Sequence, residues 1–278
     1  MKQRVISAVV AIIIVVPLLL LGGIPFAIGI GLLGAIALWE LLRLRDKKKP
    51  YPMVVKILSF ICVELTIFSR LEGNIIYNGL SYLPIVASAL ALLIPSVFTK
   101  KEEYSTKDAL YLFGAVAFLG IVFNAIIAIC NTPIYVNNNV IAGQWLILYL
   151  FLIAACTDSF AMIIGCLIGK HKLIPAVSPK KSVEGSIGGS VVGTIIASIL
   201  YYNIVSNQLN ILVLILMTLI LTILGQLGDL FFSKIKRENK IKDFSNIMPG
   251  HGGILDRFDS LSFIVFGYFV IINLLSLI

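Results

Sequence analysis

The chain of 278 residues is 59% hydrophobic and only 13% charged, with a formal net charge of +8. A soluble domain of this length carries about 25% charged residues, so the composition excludes an ordinary soluble enzyme. It also argues against nucleic-acid binding, because there is no soluble basic domain to hold a nucleic acid. Several apolar stretches reach the roughly 20 residues that a helix needs to cross a bilayer. The chain is therefore predicted to be a multi-pass membrane protein in contact with the lipid bilayer.

The apolar stretches are continuous rather than alternating, which predicts an all-α polytopic membrane protein and not a β-barrel. About nine transmembrane helices are predicted, near residues 5–22, 24–42, 52–69, 81–98, 109–130, 145–168, 187–205, 209–230 and 259–277. On this threading only Arg70 of the 22 Lys and Arg residues lies clearly on the less basic side. The positive-inside rule then places the amino terminus in the cytoplasm and the carboxyl terminus outside. These features predict a protein of the inner (cytoplasmic) membrane.

Two regions of the chain differ in their chemical content. Residues 1–140 carry little chemical information beyond their apolar stretches and are predicted to be a scaffold of transmembrane helices. Residues 141–278 contain the two longest polar segments rich in Gly, Pro, Ser and Lys, at 169–186 and 231–258. Both segments are cytoplasmic on the predicted threading, whereas the extracytoplasmic connections are short. The catalytic region, with an active site that faces the cytoplasm, is therefore predicted in residues 141–278.

The segment from Ser233 to Ser260 contains a basic run, a Pro-Gly-His-Gly-Gly turn, and then Asp256 and Asp259 at the start of the last apolar stretch. Two carboxylates three residues apart fall on one face of a helix, where a hydrated divalent cation can sit between them. The first turn of a helix also favours carboxylates and phosphates, because the helix dipole is positive there. The flanking cations and small-residue amides suit phosphate oxygens. A metal–phosphate site at the membrane surface is therefore predicted.

Two further aspartates belong to apolar stretches, Asp158 in the sixth and Asp229 at the end of the eighth. A carboxylate inside a membrane costs about 2.5–3.5 kcal/mol on insertion scales. Taken singly, each aspartate has an alternative role as the structural partner of a nearby Lys or Arg. All four aspartates nevertheless fall toward the cytoplasmic half of the predicted spans, which favours one shared site. Asp229 approaches Asp256 and Asp259 if the eighth and ninth spans pack as antiparallel neighbours, and hard carboxylate ligands then favour Mg2+ over zinc or copper.

His251 lies between glycines in the PGHGG turn. It contacts a phosphate, transfers a proton, or is a turn residue without a chemical role. Gly252 and Gly253 allow the backbone to approach a ligand closely.

The other polar segment contains SPKKSVEGSIGGS. Its hydroxyl, its two ammonium groups and the start of the following helix are suited to binding a nucleoside triphosphate. The GxxxxGK[ST] order of a P-loop is absent, and a loop that is basic only because of its cytoplasmic position is the alternative.

These motifs resemble the signature of the CDP-diacylglycerol synthases, also called phosphatidate cytidylyltransferases. The shared elements are S-x-I-K-R at 233–237, K-D at 242–243, P-G-H-G-G-I-L-D-R-F-D at 249–259, SPKKSVEGSIGG at 178–189, TDSFA at 157–161 and GKHKL at 169–173. Met248 stands where the family usually has Ile or Leu, and Val183 stands where many members have Trp. The resemblance is specific in the carboxyl-terminal half. Before residue 140 it consists of hydropathy and a Trp-Glu pair at 39–40.

The resemblance implies that CTP and phosphatidic acid give CDP-diacylglycerol and pyrophosphate by metal-assisted attack of the lipid phosphate on the CTP α-phosphate. It implies Mg2+ as cofactor, with room for a second metal ion of unspecified identity. The implied metal ligands are Asp229, Asp256 and Asp259, with Asp158 near them. The other implied catalytic groups are Lys236, Arg237 and His251, and the implied groups that bind or orient CTP or lipid phosphate are Ser178, Lys180, Lys181, Glu184, Gly252, Gly253 and Arg257. A homodimer with contacts among residues 1–140 is expected by analogy.

Three other classes of protein fit the sequence less well. A transporter or channel explains the spans and the intramembrane acids, but not the clustering of the glycine turn, SPKK and the paired aspartates on one side; matching broken helices are also absent from the sequence pattern. A CDP-alcohol phosphotransferase carries a DGxxAR-type aspartate cluster that this chain lacks. A non-catalytic scaffold leaves the intramembrane carboxylates unexplained. A requirement for CTP together with phosphatidic acid separates the predicted enzyme from all three.

Overall fold

The structure, a computed structural model, describes residues 2–46, 49–69, 82–131, 134–136, 139–141, 143–205, 209–250 and 252–275. The α-helices in these ranges are α1 Lys2–Leu21, α2 Gly23–Asp46, α3 Met53–Ile67, α4 Tyr82–Leu93, α5 Pro95–Phe98, α6 Thr106–Asn131, α7 Gln144–Ile168, α8 Val183–Leu200, α9 Ile211–Glu238 and α10 Leu255–Leu275. A π-helical turn, Tyr201–Val205, follows α8. The strands form two antiparallel hairpins, β1 Ile134–Val136 with β2 Asn139–Ile141, and β3 Lys172–Ile174 with β4 Ser178–Ser182.

The described chain is predominantly helical, and helical structure is present at each predicted span. The helices long and apolar enough to cross a membrane, among the residues described, are Gly23–Asp46, Thr106–Asn131, Gln144–Ile168, Val183–Val205 and Ile211–Glu238. The helical, multi-pass character predicted from composition is therefore confirmed. The total of nine spans and the orientation of the termini stay predictions, and Arg70 lies outside the described residues.

The chain divides into two compact units. The amino-terminal unit comprises Met1–Asn131 and Asp243–Leu255, and the carboxyl-terminal unit comprises Thr132–Lys242 and Asp256–Ile278. The segment Asp243–Leu255 contains the glycine turn, so the turn groups with the helices that precede Asn131. The functional division at residue 140 stays a prediction.

Apolar packing dominates the amino-terminal unit, where α6 contacts α2, α3 and α4. Two of its buried polar side chains donate to backbone carbonyls of other elements. The Asn124 amide donates to the carbonyl oxygen of Ile67 at 2.7 Å, and the buried Tyr104 hydroxyl donates to the carbonyl oxygen of Leu92 at 2.8 Å. Burial raises the pKa of Tyr104 to about 12, so this hydroxyl remains a donor at neutral pH. The first bond joins α6 to α3 and the second joins the loop before α6 to α4, so both polar groups are paired within the core.

In the carboxyl-terminal unit, α7 and α8 approach each other closely through glycine. A Cβ added to Gly185 would lie 2.5 Å from the carbonyl oxygen of Ala161, and one added to Gly189 would lie 2.6 Å from that of Thr157. Glycines spaced by four residues on one helix face allow such an approach between membrane helices. Asp158 follows Thr157 in α7, so this close packing fixes the position of Asp158 relative to α8.

Side-chain hydrogen bonds join α8 to α9. Gln226 donates to the Ser190 hydroxyl at 2.7 Å and to the carbonyl oxygen of Ser186 at 3.0 Å, and it accepts from the Ser186 hydroxyl. A second set of hydrogen bonds in this unit joins Tyr149, Ser198 and Thr218. Because Gln226 lies less than one helical turn before Asp229, its bonds hold the part of α9 that carries this aspartate.

Helix α9 continues beyond the predicted end of the eighth span and ends at Glu238. Lys240 then takes the left-handed conformation, with φ of +54°, and a 3.0 Å bond from the following amide to the carbonyl oxygen of Lys236 closes the last turn. The predicted polar segment 231–258 is therefore partly helical. As a consequence, Lys234, Lys236 and Arg237 of the basic run lie on the same helix as Asp229.

Candidate active site

Helices α9 and α10 pack closely in the carboxyl-terminal unit. A Cβ added to Gly225 would lie 2.8 Å from the Ile264 side chain, and one added to Gly228 would lie 2.6 Å from the carbonyl oxygen of Asp259. The contacting residues run in opposite order along the two helices, so the helices are antiparallel. Glycine at both positions brings Asp229, the neighbour of Gly228, beside the first turns of α10.

Two lysine–aspartate pairs lie in this part of the carboxyl-terminal unit. Lys236 Nζ donates to Asp256 Oδ1 at 2.8 Å, and only 11% and 4% of the two side chains is exposed. The Lys181 ammonium forms an ion pair with the half-buried Asp229 carboxylate. The Ser233 hydroxyl lies 3.4 Å from the same carboxylate. Because burial strengthens these interactions, removing one partner leaves a costly uncompensated charge.

Asp158 and Asp259 lie in the same neighbourhood. The Ser260 hydroxyl donates to Asp158 Oδ2 at 3.1 Å, and the Ser260 amide donates to Asp259 Oδ1 at 2.8 Å. Gly228, the neighbour of Asp229, packs against the carbonyl oxygen of Asp259. Carboxylates from α7, α9 and α10 therefore lie near one another, and Lys236 of α9 binds Asp256 of α10.

The hairpin of β3 and β4 carries the SPKK motif of the first polar segment. Successive residues of a strand point to opposite faces, so Lys180 and Lys181 diverge. Lys181 reaches Asp229, whereas Lys180 is exposed and Ser178 is half-buried. Ser182 ends the hairpin and caps α8, because its hydroxyl accepts a backbone amide of the first helical turn. The structure thus brings one of the two predicted lysines to the carboxylates.

Glu184 binds the chain that leads into the hairpin. Its carboxylate accepts the backbone amides of Lys170 at 3.1 Å and His171 at 3.2 Å, and the His171 ring nitrogen Nδ1 lies 2.6 Å from Oε1. These bonds hold the start of the hairpin against the first turn of α8. They are consistent with the orienting role predicted for Glu184, and a direct contact with a ligand stays a prediction.

Two predicted arginines have exposed side chains, Arg237 in α9 and Arg257 in α10. Arg237 Nε donates to the carbonyl oxygen of Val177, in the turn of the hairpin, at 3.3 Å. Arg257 acts electrostatically on Asp158. Exposed guanidinium groups beside this cluster suit bidentate binding of phosphate oxygens.

The glycine turn belongs to the amino-terminal unit. Met248 and Gly252 exchange two backbone hydrogen bonds of 3.0 Å each, and Gly250 and Gly252 have φ of +79° and +85°. Only glycine takes this conformation without strain. Gly252 and Gly253 are buried. His251 lies outside the described residues, so its predicted role is not tested.

Three polar residues have structural roles that sequence reasoning did not assign: Glu40, Gln226 and Ser260. Glu40 is fully buried in α2 and binds residues on both sides of the glycine turn. Gln226 joins α8 to α9, and Ser260 joins two of the aspartates. The available signal was a polar side chain inside an apolar stretch, which is costly unless it is bonded. That signal indicates that a polar residue is important, but it does not predict its hydrogen-bond partner.

The chemistry of the acidic group fits Mg2+, because the ion prefers carboxylate oxygens. Two of the carboxylates, Asp229 and Asp256, are neutralised by lysines as the side chains lie. In that arrangement, no group of three or more His, Cys, Asp or Glu within the described ranges is gathered tightly enough to hold a metal ion. The carboxylate oxygens are therefore suitable ligands for the predicted metal. In this structure, the Lys181 and Lys236 ammonium groups bind two of these carboxylates.

The fold is helical and multi-pass, and its site pairs Lys181 of the hairpin and Lys236 of α9 with aspartates of α9 and α10, which is the pattern of a membrane protein with charged groups at a candidate active site. Residues 2–275 match the model of the cytidylyltransferase family. The chain is 38% identical over 265 residues to the phosphatidate cytidylyltransferase of Staphylococcus haemolyticus, covering 95% of this chain and 96% of the relative. It is 35% identical over 272 residues to that of Bacillus subtilis, covering 98% and 97%, and 36% identical over 265 residues to that of Staphylococcus aureus, covering 95% and 96%. The chain therefore belongs to the phosphatidate cytidylyltransferase family of CTP-dependent nucleotidyltransferases, and the resemblance carried by its motifs is confirmed.

Proposed function

We propose that the chain transfers the cytidylyl group of CTP to phosphatidate and so forms CDP-diacylglycerol and pyrophosphate. The observation that carries this proposal is the presence of two lysine–aspartate pairs, Lys181–Asp229 and Lys236–Asp256, among the helices of one unit. An anionic lipid and a nucleoside triphosphate both require cationic groups near the membrane surface. Family membership over nearly the whole chain supports the same reaction.

In the proposed reaction an oxygen of the lipid phosphate attacks the α-phosphorus of CTP. A new P–O bond forms, and the bond from the α-phosphorus to the bridging oxygen of the β-phosphate breaks. Lys181 and Lys236 bind phosphate oxygens and stabilise the negative charge that moves to the pyrophosphate leaving group. Asp229 and Asp256 hold the two ammonium groups in place beforehand, which reduces the cost of orienting them. The enzyme then needs no covalent nucleophile.

Mg2+ is the proposed cofactor, with a second metal ion of unspecified identity. The proposed ligands are Asp229, Asp256 and Asp259, with Asp158 close to them. When bound, the metal supplies positive charge that neutralises phosphate oxygens. Ser260 supports this acidic group, because its hydroxyl and amide each orient one carboxylate. A lysine displaced from its aspartate remains close enough to bind the incoming phosphate.

The remaining predicted residues have supporting roles in this proposal. The proposed phosphate-binding groups outside the two lysine–aspartate pairs are Lys180, Arg237, His251, Gly252, Gly253 and Arg257. Ser178 and Glu184 orient the hairpin, a role supported by the hydrogen bonds of Glu184 to the chain before β3. Charges placed in this way position two anionic substrates against each other, and most of the catalysis of phosphoryl-type transfer comes from such positioning.

The proposed setting is the inner (cytoplasmic) membrane. We infer about nine transmembrane spans from the apolar stretches. The distribution of Lys and Arg gives a cytoplasmic amino terminus and an active site that faces the cytoplasm. This orientation gives direct access to CTP, and the basic segments also attract anionic lipid headgroups. A homodimer is part of the proposal by analogy alone.

The test is release of pyrophosphate by the purified protein in detergent, given CTP, phosphatidic acid and Mg2+, with each omitted in turn. The expected result is release only when all three are present, with an equal amount of CDP-diacylglycerol. CTP binding without release would indicate a different lipid acceptor. Neither binding nor release by well-folded protein would contradict the proposal and favour a transporter.

A further inference from the structure

Glu40 is a buried acidic residue that the proposed reaction does not use. Its side chain lies in α2 and the residue is 0% exposed. Its carboxylate accepts the Ser245 hydroxyl at 2.5 Å, the Ile254 amide at 2.9 Å and the Leu255 amide at 2.8 Å. All these residues belong to the amino-terminal unit. The Glu40 side chain is therefore hydrogen-bonded to the chain both before and after the glycine turn.

The two amides stand at the start of α10, whose first helical residue is Leu255. Amides of the first helical turn have no acceptor within their own helix, and a negative charge there is favoured by the helix dipole. Glu40 supplies that acceptor from a distant part of the chain. A neutral amide in its place would turn an NH2 group toward at least one of these donors. The geometry thus requires the carboxylate itself.

Gly253 provides an independent sign that this contact is closely fitted. A Cβ added to Gly253 would collide with the carboxyl group of Glu40. The glycine is buried, and its backbone runs directly past the carboxylate. Absence of a side chain at this position is therefore part of the contact between Glu40 and the turn.

We propose that Glu40 is a positioning residue for the cytidylyl transfer, acting through the amides of Ile254 and Leu255 on the start of α10. This inference rests on the proposed function. Asp256 directly follows Leu255 in the chain, and its carboxylate holds the Lys236 ammonium. A displacement of the first turn of α10 would move that carboxylate. Errors of about 1 Å in the placement of catalytic groups can cost roughly 100-fold in rate.

The test is Glu40→Gln in the full-length protein, with Glu64→Gln as matched control. Glu64 lies in α3 of the same unit, beside Gly31 of α2. We expect Glu40→Gln to lower kcat by roughly 10- to 100-fold, with KM for CTP within about twofold of wild type. The control should retain wild-type kcat and KM. Both variants are compared at equal amounts of folded protein, measured by thermal unfolding in detergent.

Two further variants keep the proposal testable if Glu40→Gln does not fold. Glu40→Asp keeps the negative charge but shortens the side chain and so weakens its bonds to the two amides, and it should lower kcat in the same way. Ser245→Ala leaves both amide bonds in place and should change kcat by no more than about threefold. A lower melting temperature of folded Glu40→Gln or Glu40→Asp with wild-type kcat would overturn the inference, because Glu40 would then be purely structural. An inactive wild type would instead contradict the proposed function.

Discussion

In the amino-terminal unit an arginine fork binds Asp108 and a lysine binds Asp46, whereas both ion pairs of the proposed site, in the carboxyl-terminal unit, join a lysine to an aspartate. Asp108 accepts Arg45 Nε at 2.9 Å and Nη2 at 2.7 Å. In the other unit, Lys236 Nζ donates to Asp256 Oδ1 at 2.8 Å. The Arg45–Asp108 pair and the two pairs of the proposed site therefore bind the same acidic group with different cationic partners.

The difference between the partners has a physical consequence. A guanidinium fork matches a carboxylate in two places and loses little freedom on binding, so the arginine pair is suited to holding structure. An ammonium group is a compact point charge on a flexible stem, and it can exchange one oxygen ligand for another. Lysine pairs therefore suit a site where aspartate oxygens give way to substrate phosphates. The comparison assigns stability to one set of charges and turnover to the other.

The largest expected effect is loss of turnover when an aspartate of the carboxyl-terminal unit is neutralised. Asp256→Asn and Asp259→Asn, each in folded and membrane-inserted protein, should lower kcat by at least about 100-fold, because groups that stabilise charge in the transition state are lost. The measurement is formation of CDP-diacylglycerol at saturating Mg2+. Undiminished turnover in either variant would remove that residue from the metal assignment.

A second effect is expected from the hairpin lysine that pairs with Asp229. Lys181→Gln leaves this carboxylate without its ammonium partner and removes a proposed phosphate ligand, so kcat/KM should fall by roughly 10- to 100-fold. Lys172→Gln, an exposed lysine of the same hairpin, is the matched control and should remain close to wild type. Equal activity of the two variants would show that the hairpin contributes only general positive charge.

The smallest expected effect concerns stability alone. Arg45→Met removes the fork that binds Asp108 and should destabilise the protein by about 1.5–3 kcal/mol, the usual range for hydrogen bonds to charged groups. Thermal unfolding measures this loss, and kcat of the folded fraction should be unchanged. A large fall in kcat with normal stability would break the comparison, because the Arg45–Asp108 pair would then also act in turnover.

Sequence reasoning reached the helical, multi-pass class because hydropathy adds up over consecutive residues and needs no partner. It also identified Asp229, Asp256 and Asp259, because acids are costly in apolar stretches. It did not predict the β3–β4 hairpin. Strands as short as Lys172–Ile174 lie inside a polar segment where no apolar alternation marks them.

It also did not predict which charges are paired. Lys180 and Lys181 are chemically equal neighbours in the sequence, yet only Lys181 pairs with Asp229, because adjacent strand residues face opposite ways. The role of Glu40 was hidden for a related reason. Its partner Ser245 is separated from it by 205 positions, and a spacing of that size carries no periodic signal.

The sequence by itself therefore determined the membrane class, the family and the residue types at the proposed site, since these depend on local composition and motifs. Tertiary structure decided the partners: Lys181 with Asp229, Lys236 with Asp256, and Glu40 with the start of α10. The physical reason is that ion pairs and caps depend on distances of a few ångströms between separate elements. Close helix packing through glycines such as Gly185 and Gly228 sets those distances within the carboxyl-terminal unit.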